Sequence, residues 1–303
     1  MKTIFGQIKR LSKTNVSVLV TGESGTGKEL CARSIHYHST RKNELFVPIN
    51  CGAIPEGLLE SELFGYAKGA FTGANSDKIG LIESAHKGTL FLDEIGEMPK
   101  NLQVKLLRFL EDQKLQRIGE NHLRPLDVRI IAATNKFHPL SNESEALRSD
   151  LYYRLSEFEI HLPPLKDRKN DIFLIAQNII ERNKIRFEMP DLQMTTRVQK
   201  ILSSYSWPGN VRELENKLNR ATITCNNQLI DVGDLQLSES GFSNRTLSDT
   251  KRVLEKNIVL NALKITDNII AAAAKHIGVS RPTFYDLLKK HQIPLKSKQR
   301  SKR

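Results

Sequence analysis

The sequence predicts an α/β protein with a wound parallel sheet, followed by a helical segment and a C-terminal helix-turn-helix. Three observations lead to this prediction. Short apolar runs alternate with helical patterns in the first half of the chain, helical periodicity continues alone beyond it, and basic residues are concentrated near the C terminus. Strands that alternate with helices are typical of wound parallel sheets, and a chain of 303 residues is long enough for about two domains.

Four apolar runs have the length and composition of buried strands. They occupy residues 16–20, 46–49, 89–92 and 128–133. Between the last two runs, one face of a predicted helix is apolar, and two consecutive prolines end the strand-containing block. The helical face consists of Leu102, Leu106, Phe109 and Leu110, and the prolines are Pro163 and Pro164.

Residues 166–237 have a helical pattern that no strand-like run interrupts. An apolar stripe at helical spacing runs along Val211, Leu214, Leu218 and Ala221. The polar, Gly- and Ser-rich stretch that follows, residues 238–244, predicts a linker. Beyond it, Leu254, Ile258 and Ala262 again have helical spacing, and two more short helical stretches follow.

Composition excludes several classes of protein. With 39% hydrophobic and 26% charged residues, the chain is neither disordered nor collagen-like. No apolar run approaches the roughly 20 residues that span a bilayer, and residues 1–14 do not have the pattern of a secretory signal. Cys31, Cys51 and Cys225 are too few and too scattered for a disulfide framework or a zinc site. We therefore expect a cytoplasmic protein without a membrane partner.

A Gly-rich string lies between the first predicted strand and a helical pattern. Backbone N–H groups of such a P-loop, together with the helix N terminus, bind phosphates, and the lysine adds a positive charge. Glu29 stands where a Ser or Thr usually holds Mg²⁺, so the metal must depend on another residue. The string consists of Gly22, Glu23, Ser24, Gly25, Thr26, Gly27 and Lys28.

Polar side chains follow the third and fourth apolar runs. Asp93 would hold Mg²⁺ through its water shell, and Glu94 would polarise the water that attacks ATP. Carboxylates also end strands for no functional reason, but their combination with the P-loop predicts ATP as substrate and Mg²⁺ as cofactor. Asn135 would lie at the same edge of the sheet, where it either senses the γ-phosphate or merely ends its strand.

The net charge of +12 is concentrated in the last fifth of the chain, where residues 241–303 contain 14 Lys and Arg against 4 Asp and Glu. Residues 268–278 predict a helix that ends in a turn at Gly278, and Ser280 would cap a second helix. We expect this helix-turn-helix to bind DNA, although a solvated basic tail or a protein-binding module has a similar pattern. The candidate DNA contacts and cap residues are Ser280, Arg281, Pro282, Thr283, Tyr285, Lys289 and Lys290.

Four strings of the sequence are distinctive in combination: residues 22–29 (GESGTGKE), 69–74 (GAFTGA), 88–94 (GTLFLDE) and 207–214 (WPGNVREL). Together they resemble the signatures of bacterial enhancer-binding proteins, the AAA+ ATPases that activate sigma-54 RNA polymerase, in which Glu29 is a normal residue. The resemblance spans about residues 8–236. It implies an AAA+ α/β subdomain at residues 1–164, a helical lid at 165–237, a linker at 238–248 and an all-α Fis-type helix-turn-helix domain with a basic tail at 249–303.

The resemblance also implies roles for a loop and for a polar residue near the carboxylates. The loop would contact sigma-54, with Phe71 presented at its tip rather than buried in a turn. Asn50 would contact Glu94 and relay the nucleotide state to this loop. The loop consists of Gly69, Ala70, Phe71, Thr72, Gly73 and Ala74.

Three arginines match family positions at the nucleotide. Arg148 and Arg154 would reach the γ-phosphate of a neighbouring subunit, and Arg212 would close the lid over ATP. Taken without the resemblance, the first two suit surface ion pairs with Glu145 or Asp150, and Arg212 suits a pair with Glu215. Because a head-to-tail interface repeated by rotation makes a ring, the resemblance implies self-assembly into a hexamer.

The sequence therefore predicts an ATP-hydrolysing transcription activator that binds double-stranded DNA and remodels sigma-54 RNA polymerase holoenzyme to open promoters. Only about 20 residues precede Gly22, so we expect the usual receiver domain and the upstream segment that lines the adenine pocket to be missing. An AAA+ unfoldase or clamp loader would lack the loop at residues 69–74. A DNA-binding regulator with an inactive ATPase would not need intact Lys28, Asp93 and Glu94.

Overall fold

The computed structural model divides the chain into two compact units, residues 1–241 and residues 242–303. It describes residues 1–135, 147–237, 255, 259, 262–263, 266, 270–291 and 293. In this described part of the chain, no helix combines the length and hydrophobicity needed to cross a bilayer. The predicted linker at 238–248 and the basic tail from residue 296 lie outside the described residues.

A parallel sheet of five strands forms the centre of the first unit. Four strands lie where the apolar runs predict them, and the fifth, an edge strand of mixed polarity, was not predicted. The strands are β1 (Val18–Thr21), β2 (Phe46–Asn50), β5 (Thr89–Asp93), β8 (Arg129–Thr134) and β9 (Phe158–His161). Their spatial order is β2-β5-β8-β1-β9, so the chain crosses over between most neighbours.

Helices cover both faces of the sheet because alternate strand residues point to opposite sides. Val18 and Val20 share one buried cluster with α1 and α2, whereas Leu19, Leu90 and Leu92 share another with α3, α5 and α6. The predicted apolar face of α5 is buried in the second cluster. The helices are α1 (Lys2–Leu11), α2 (Lys28–Tyr37), α3 (Glu56–Phe64), α4 (Leu81–Ser84), α5 (Lys100–Asp112) and α6 (Ser149–Leu155).

Two small antiparallel hairpins interrupt this α/β arrangement. The first pairs β3 (Gly65–Tyr66) with β4 (Lys78–Ile79), and the second pairs β6 (Lys114–Leu115) with β7 (Arg124–Pro125). Each strand has only two residues, too few for a recognisable alternation in the sequence.

The lid, residues 165–237, is mainly helical and packs in the same unit as the sheet. Leu214, Leu218 and Ala221 of the predicted stripe are buried. The expectation that no strand interrupts this segment was wrong, because β10 (Gln193–Met194) and β11 (Leu229–Ile230) pair in parallel across the intervening helices. The helices are α7 (Lys169–Arg186), α8 (Thr196–Ser204), α9 (Asn210–Thr224) and α10 (Val232–Leu235).

In the second unit, α11 (Ile270–His276) and α12 (Arg281–Lys290) form the predicted helix-turn-helix. Ala273 and Ala274 pack with Phe284 and Leu288 in one buried cluster, as expected for small residues that let two helices approach. Ala262 belongs to the same cluster, whereas Leu254 and Ile258 lie outside the described residues. The predicted architecture of an α/β sheet, a helical lid and a helix-turn-helix is thus confirmed.

Candidate functional site

The Gly-rich string forms the turn from β1 into α2, as predicted. Lys28 is buried, and its Nζ donates hydrogen bonds to the carbonyl oxygens of Gly22 (2.9 Å) and Glu23 (3.1 Å). Gly22, Gly25 and Gly27 all have positive φ angles, which glycine adopts most easily. Glycine is also sterically required at position 22, because a Cβ there would lie 2.6 Å from the carbonyl oxygen of Leu162.

The two predicted carboxylates lie where the central strand β5 ends. Burial raises the pKa of Asp93, although the backbone N–H of Glu94 (3.0 Å from Oδ1) and the charge of Lys28 oppose that shift. Burial lowers the pKa of Lys28, and the charges of Asp93 and Glu94 oppose this. Glu94 itself has a left-handed backbone, with φ 52° and ψ 44°, which costs about 1–3 kcal/mol for a residue other than glycine. A lysine and two carboxylates therefore meet at the carboxyl edge of the sheet.

Glu29 does not turn towards this edge. It forms an ion pair with Arg33 one turn later on α2, with Arg33 Nη2 at 2.8 Å from Glu29 Oε1. Among the described residues, no group of three or more His, Cys, Asp or Glu side chains could hold a metal. Magnesium usually keeps several water ligands and binds through one or two carboxylates and substrate phosphates. Asp93, a single carboxylate next to the P-loop, fits this usual mode of magnesium binding.

Of the predicted asparagines, Asn50 is the last residue of β2 and Asn135 follows β8. Asn50 Oδ1 accepts hydrogen bonds from the backbone N–H groups of Gly52 (2.9 Å) and Ala53 (3.0 Å). Within the described ranges, no hydrogen bond joins Asn50 to Glu94, although both side chains approach Gly52: a Cβ there would lie 2.8 Å from Glu94 Oε2 and 3.5 Å from Asn50 Oδ1. Asn135 is exposed next to β8.

Two cavities flank the P-loop. One, of about 690 Å³, is lined by Glu23, Ser24, Asn135 and Arg212. The other, of about 620 Å³, is largely apolar and lies between α2, α7 and the N-terminal helix α1, which the sequence analysis did not predict. From α1, this second cavity is lined by Met1, Ile4, Phe5 and Ile8.

Arg212 extends from the lid to the P-loop. Its Nη1 donates a hydrogen bond to Ser24 Oγ at 3.2 Å. Glu215, the alternative partner, is instead paired with Arg182 at 2.9 Å. Arg212 therefore contacts the Gly-rich turn between β1 and α2.

The string at residues 69–74 forms the end of a hairpin-like loop between β3 and β4. The N–H of Gly69 donates to the carbonyl oxygen of Ala74 at 2.8 Å, and Gly69 and Gly73 have φ angles of 82° and 104°. Phe71 is 46% exposed and packs edge-to-face on Tyr66, with ring centroids 4.9 Å apart. It is thus presented at the surface, as expected; Ala70 and Thr72 complete the turn.

The second hairpin supports the base of this loop, a contact that no sequence pattern indicated. Ile118 accepts a hydrogen bond from the N–H of Ala67 and donates one to the carbonyl oxygen of Gly65, both at 3.0 Å. Arg117 binds both carboxylate oxygens of Glu83 at 2.8 Å. The two hairpins therefore form one substructure.

Arg148 and Arg154 lie at the two ends of α6. Arg148 forms a two-pronged ion pair with Asp150, as the interpretation without the resemblance predicts, at 3.1 and 2.8 Å. Arg154 donates to the carbonyl oxygen of Leu110 at 3.0 Å. Both guanidinium groups are partly exposed and have partners within the subunit.

In the second unit, α12 begins as the sequence predicts. Ser280 Oγ accepts a hydrogen bond from the N–H of Thr283 (3.3 Å), and Pro282 lies in the first turn. Lys290 pairs with Glu255 at 2.6 Å. All seven candidates are exposed: Ser280, Arg281, Pro282, Thr283, Tyr285, Lys289 and Lys290.

Comparisons with known proteins agree with this division of the chain. Residues 1–161 match the model of the sigma-54 interaction domain, residues 166–250 that of the AAA+ ATPase lid domain, and residues 251–291 that of bacterial regulatory proteins of the Fis family. The chain is 42% identical to the hydrogenase transcriptional regulatory protein HoxA of Bradyrhizobium diazoefficiens, over 94% of this chain and 61% of HoxA. It is 39% identical to the regulatory protein AtoC of Escherichia coli, over 97% of this chain and 66% of AtoC. The chain thus spans less than two thirds of the length of these relatives.

A solved structure supports the same relationship. The crystal structure of NtrX from Brucella abortus in complex with ATP superposes with a TM-score of 0.72 at 31% identity, over 97% of this chain and 68% of NtrX. The complex of NtrX with ADP gives a TM-score of 0.71. The matches cover the sheet, the lid and the helix-turn-helix in the same order, and the chain therefore belongs to the sigma-54-dependent transcriptional regulators of the AAA+ class.

Proposed function

We propose that this protein hydrolyses ATP and uses the energy to remodel sigma-54 RNA polymerase holoenzyme at promoters to which it is recruited by binding DNA. The observation that carries the proposal is the meeting of Lys28, Asp93 and Glu94 at one sheet edge, next to the P-loop, which contributes residues to two cavities. The ATP and ADP complexes of NtrX support nucleotide as the ligand. The division into residues 1–164, 165–237, 238–248 and 249–303 belongs to the same proposal.

Hydrolysis follows from the chemistry of the sheet edge. The amides of the P-loop and Lys28 would bind the phosphates, while the apolar cavity beside α1 would take the adenine. Asp93 would hold Mg²⁺, which would supply positive charge near the phosphate oxygens. Glu94 would accept a proton from the attacking water, and Asn135 would orient that water or the γ-phosphate. Asn50 would respond to the position of the Glu94 carboxylate.

Arginines would make hydrolysis depend on assembly. Arg148 would exchange its ion pair with Asp150 for the γ-phosphate of a neighbouring subunit in a ring, which we propose to be a hexamer, and Arg154 would lie beside it. Such an arginine stabilises the charge of the transition state, so an isolated subunit would hydrolyse ATP slowly. Within the subunit, Arg212 would report the nucleotide to the lid through its position at Ser24.

Sigma-54 and DNA would bind to different units of the chain. The loop at residues 69–74 presents Phe71 and Thr72 on a hairpin whose base is held by the second hairpin, so it can transmit a displacement to a partner. In the second unit, α12 would enter the major groove and contact bases and phosphates through its exposed basic and polar side chains.

The test is transcription in vitro from a sigma-54 promoter with purified holoenzyme, with and without ATP. We expect open complexes only with hydrolysable ATP. Glu94→Ala should still bind ATP but lose hydrolysis and promoter opening, because the group that activates water is gone. Open complexes formed without ATP, or full turnover by Glu94→Ala, would contradict the proposal.

A further inference from the structure

Asn210 joins three segments of the chain at one point. It begins α9, is fully buried, and has a left-handed backbone with φ 53°. Its Nδ2 donates hydrogen bonds to Glu23 Oε2 and to the carbonyl oxygen of Ser24, both at 3.0 Å. Its Oδ1 accepts a hydrogen bond from the N–H of Leu165 at 2.7 Å, where the lid begins. The side-chain amide of Asn210 therefore uses its nitrogen on the P-loop and its oxygen on the residue where the lid begins.

Asn210 is one of a row of lid donors to the P-loop. Three consecutive carbonyl oxygens, those of residues 24, 25 and 26, accept hydrogen bonds from the lid. The donors are Asn210 Nδ2 (3.0 Å), the backbone N–H of Val211 (3.0 Å) and Arg168 Nη2 (2.8 Å). In a trans peptide the carbonyl and the following N–H point in opposite directions. Holding these carbonyls towards the lid therefore turns the N–H groups of residues 25–27 away from it.

We propose that Asn210 is a positioning residue that keeps the P-loop in its phosphate-binding shape and couples it to the lid. The inference rests on the proposed nucleotide-binding function and adds a residue to it. Asn210 touches no phosphate itself; it acts through the carbonyl of Ser24 and the carboxylate of Glu23. When the lid moves, this side chain moves the loop with it.

The backbone of the turn before α9 supports this role. Trp207 and Asn210 both have left-handed φ angles, of 50° and 53°, and Trp207 is fully buried. Two such residues so close together are costly, and strain of this kind is found where function requires it. Asparagine tolerates the left-handed region better than most residues, so position 210 needs both its backbone freedom and its amide.

The experiment exchanges the donor and the acceptor in the full chain. Asn210→Asp keeps the acceptor for Leu165 and the tolerance of the left-handed region, but it places a carboxylate against Ser24 and Glu23. Adding Glu23→Gln to Asn210→Asp lets the new amide at position 23 donate a hydrogen bond to the carboxylate at position 210. The double variant has the same net charge as the wild type. Asn210→Gly keeps the backbone angle and removes the amide. Asn219→Asp makes the same chemical change elsewhere on α9.

Two readouts are needed: the Kd for ADP by calorimetry, and hydrogen exchange of the P-loop amides without nucleotide. We expect Asn210→Asp and Asn210→Gly to bind ADP at least about tenfold more weakly, equivalent to about 1.4 kcal/mol, and to exchange these amides faster. Glu23→Gln added to Asn210→Asp should recover at least about threefold in affinity, a coupling that general damage to the fold would not produce. Asn219→Asp should match the wild type.

The inference is overturned if both Asn210 variants keep wild-type ADP affinity and P-loop exchange, or if the Glu23→Gln exchange recovers nothing. Failure of the wild type to bind ADP would instead contradict the proposed function, and the exchange rates of the P-loop would still decide whether Asn210 orders the loop.

Discussion

Gly25 offers a sharp test of how closely the lid and the P-loop fit. Its φ is 77°, and a Cβ there would overlap the backbone carbonyl oxygen of Gly209 in the lid and lie 3.1 Å from Cβ of Arg212. Because the main obstacle is backbone, no side-chain rotation relieves it. We expect Gly25→Ala to push the lid turn away from the loop and to weaken the hydrogen bond from Val211 to the Gly25 carbonyl.

The loss of stability has three parts. Holding alanine in the left-handed region costs about 1–2 kcal/mol, overpacking about 1–3 kcal/mol, and the lost hydrogen bond about 1 kcal/mol. Gly27 is a matched control in the same loop, because its φ is 100° but a Cβ there meets nothing within 4 Å. Gly27→Ala therefore carries only the first cost. The difference between the two variants should be at least about 2 kcal/mol, which corresponds to about 4–8 °C in Tm for a domain of this size.

The assay is thermal unfolding of the nucleotide-free full chain, followed by tryptophan fluorescence. Trp207 is the single tryptophan of the chain and is buried in the lid turn concerned, with its Nε1 hydrogen-bonded to the carbonyl of Leu202 at 2.8 Å. If Gly25→Ala and Gly27→Ala lower Tm by the same amount, a Cβ at position 25 does not collide with the lid, which contradicts the prediction. Backbone strain alone would then explain the loss of stability in both variants.

Three further predictions concern other parts of the molecule. Thr72→Ala, on the exposed loop between β3 and β4, should keep ATP turnover within about twofold but lose promoter activation with sigma-54 holoenzyme, since this loop does not contain the residues proposed to bind or hydrolyse ATP; normal activation would remove the loop from its role. Deleting residues 242–303 should leave ATP turnover and abolish specific DNA binding in an electrophoretic shift assay, and an undiminished shift would place the DNA reader in the first unit. At pH 8 a thiol reagent should modify Cys225 faster than Cys31 and Cys51 in the folded protein, because burial raises the pKa of the last two to about 12, whereas Cys225 is only partly buried although burial raises its pKa as well; equal rates for all three would contradict the burial of Cys31 and Cys51.

Much of the α/β unit could be predicted because its central strands are short, continuous apolar runs. Such runs are typical of strands that are buried on both faces of a parallel sheet, and few other interpretations of them were available. The edge strand β9 alternates Phe158, Glu159, Ile160 and His161, and only Ile160 is buried, so its sequence is compatible with a loop as well. The lid strands β10 and β11 have two residues each and exist only because they pair across more than 30 residues of chain.

The site residues divide in the same way. The P-loop string and the carboxylates after an apolar run are local patterns with a chemical reason, and the prediction located them without a tertiary structure. The ion pair of Glu29 with Arg33 joins neighbouring turns of one helix, a local pattern that the prediction did not use. The hydrogen bonds of Asn50 to its own turn depend on the backbone angles after β2, which the sequence analysis did not predict. Asn210 was overlooked because an asparagine at a helix start is common.

By itself, the sequence determined the four central strands, the main helical stripes, where phosphate chemistry is concentrated, and where the basic helix-turn-helix lies, because periodicity, glycine and charge act over a few residues. Only the tertiary structure decided the strand order that brings the ends of β1 and β5 to one edge, the support of the loop by the second hairpin, and the bonding of Asn210, Val211 and Arg168 to the P-loop. Those contacts join residues that are distant in the sequence, from 51 positions for Ala67 and Ile118 to 187 for Glu23 and Asn210. Which of many chemically equivalent partners meet is settled by the packing of the whole unit.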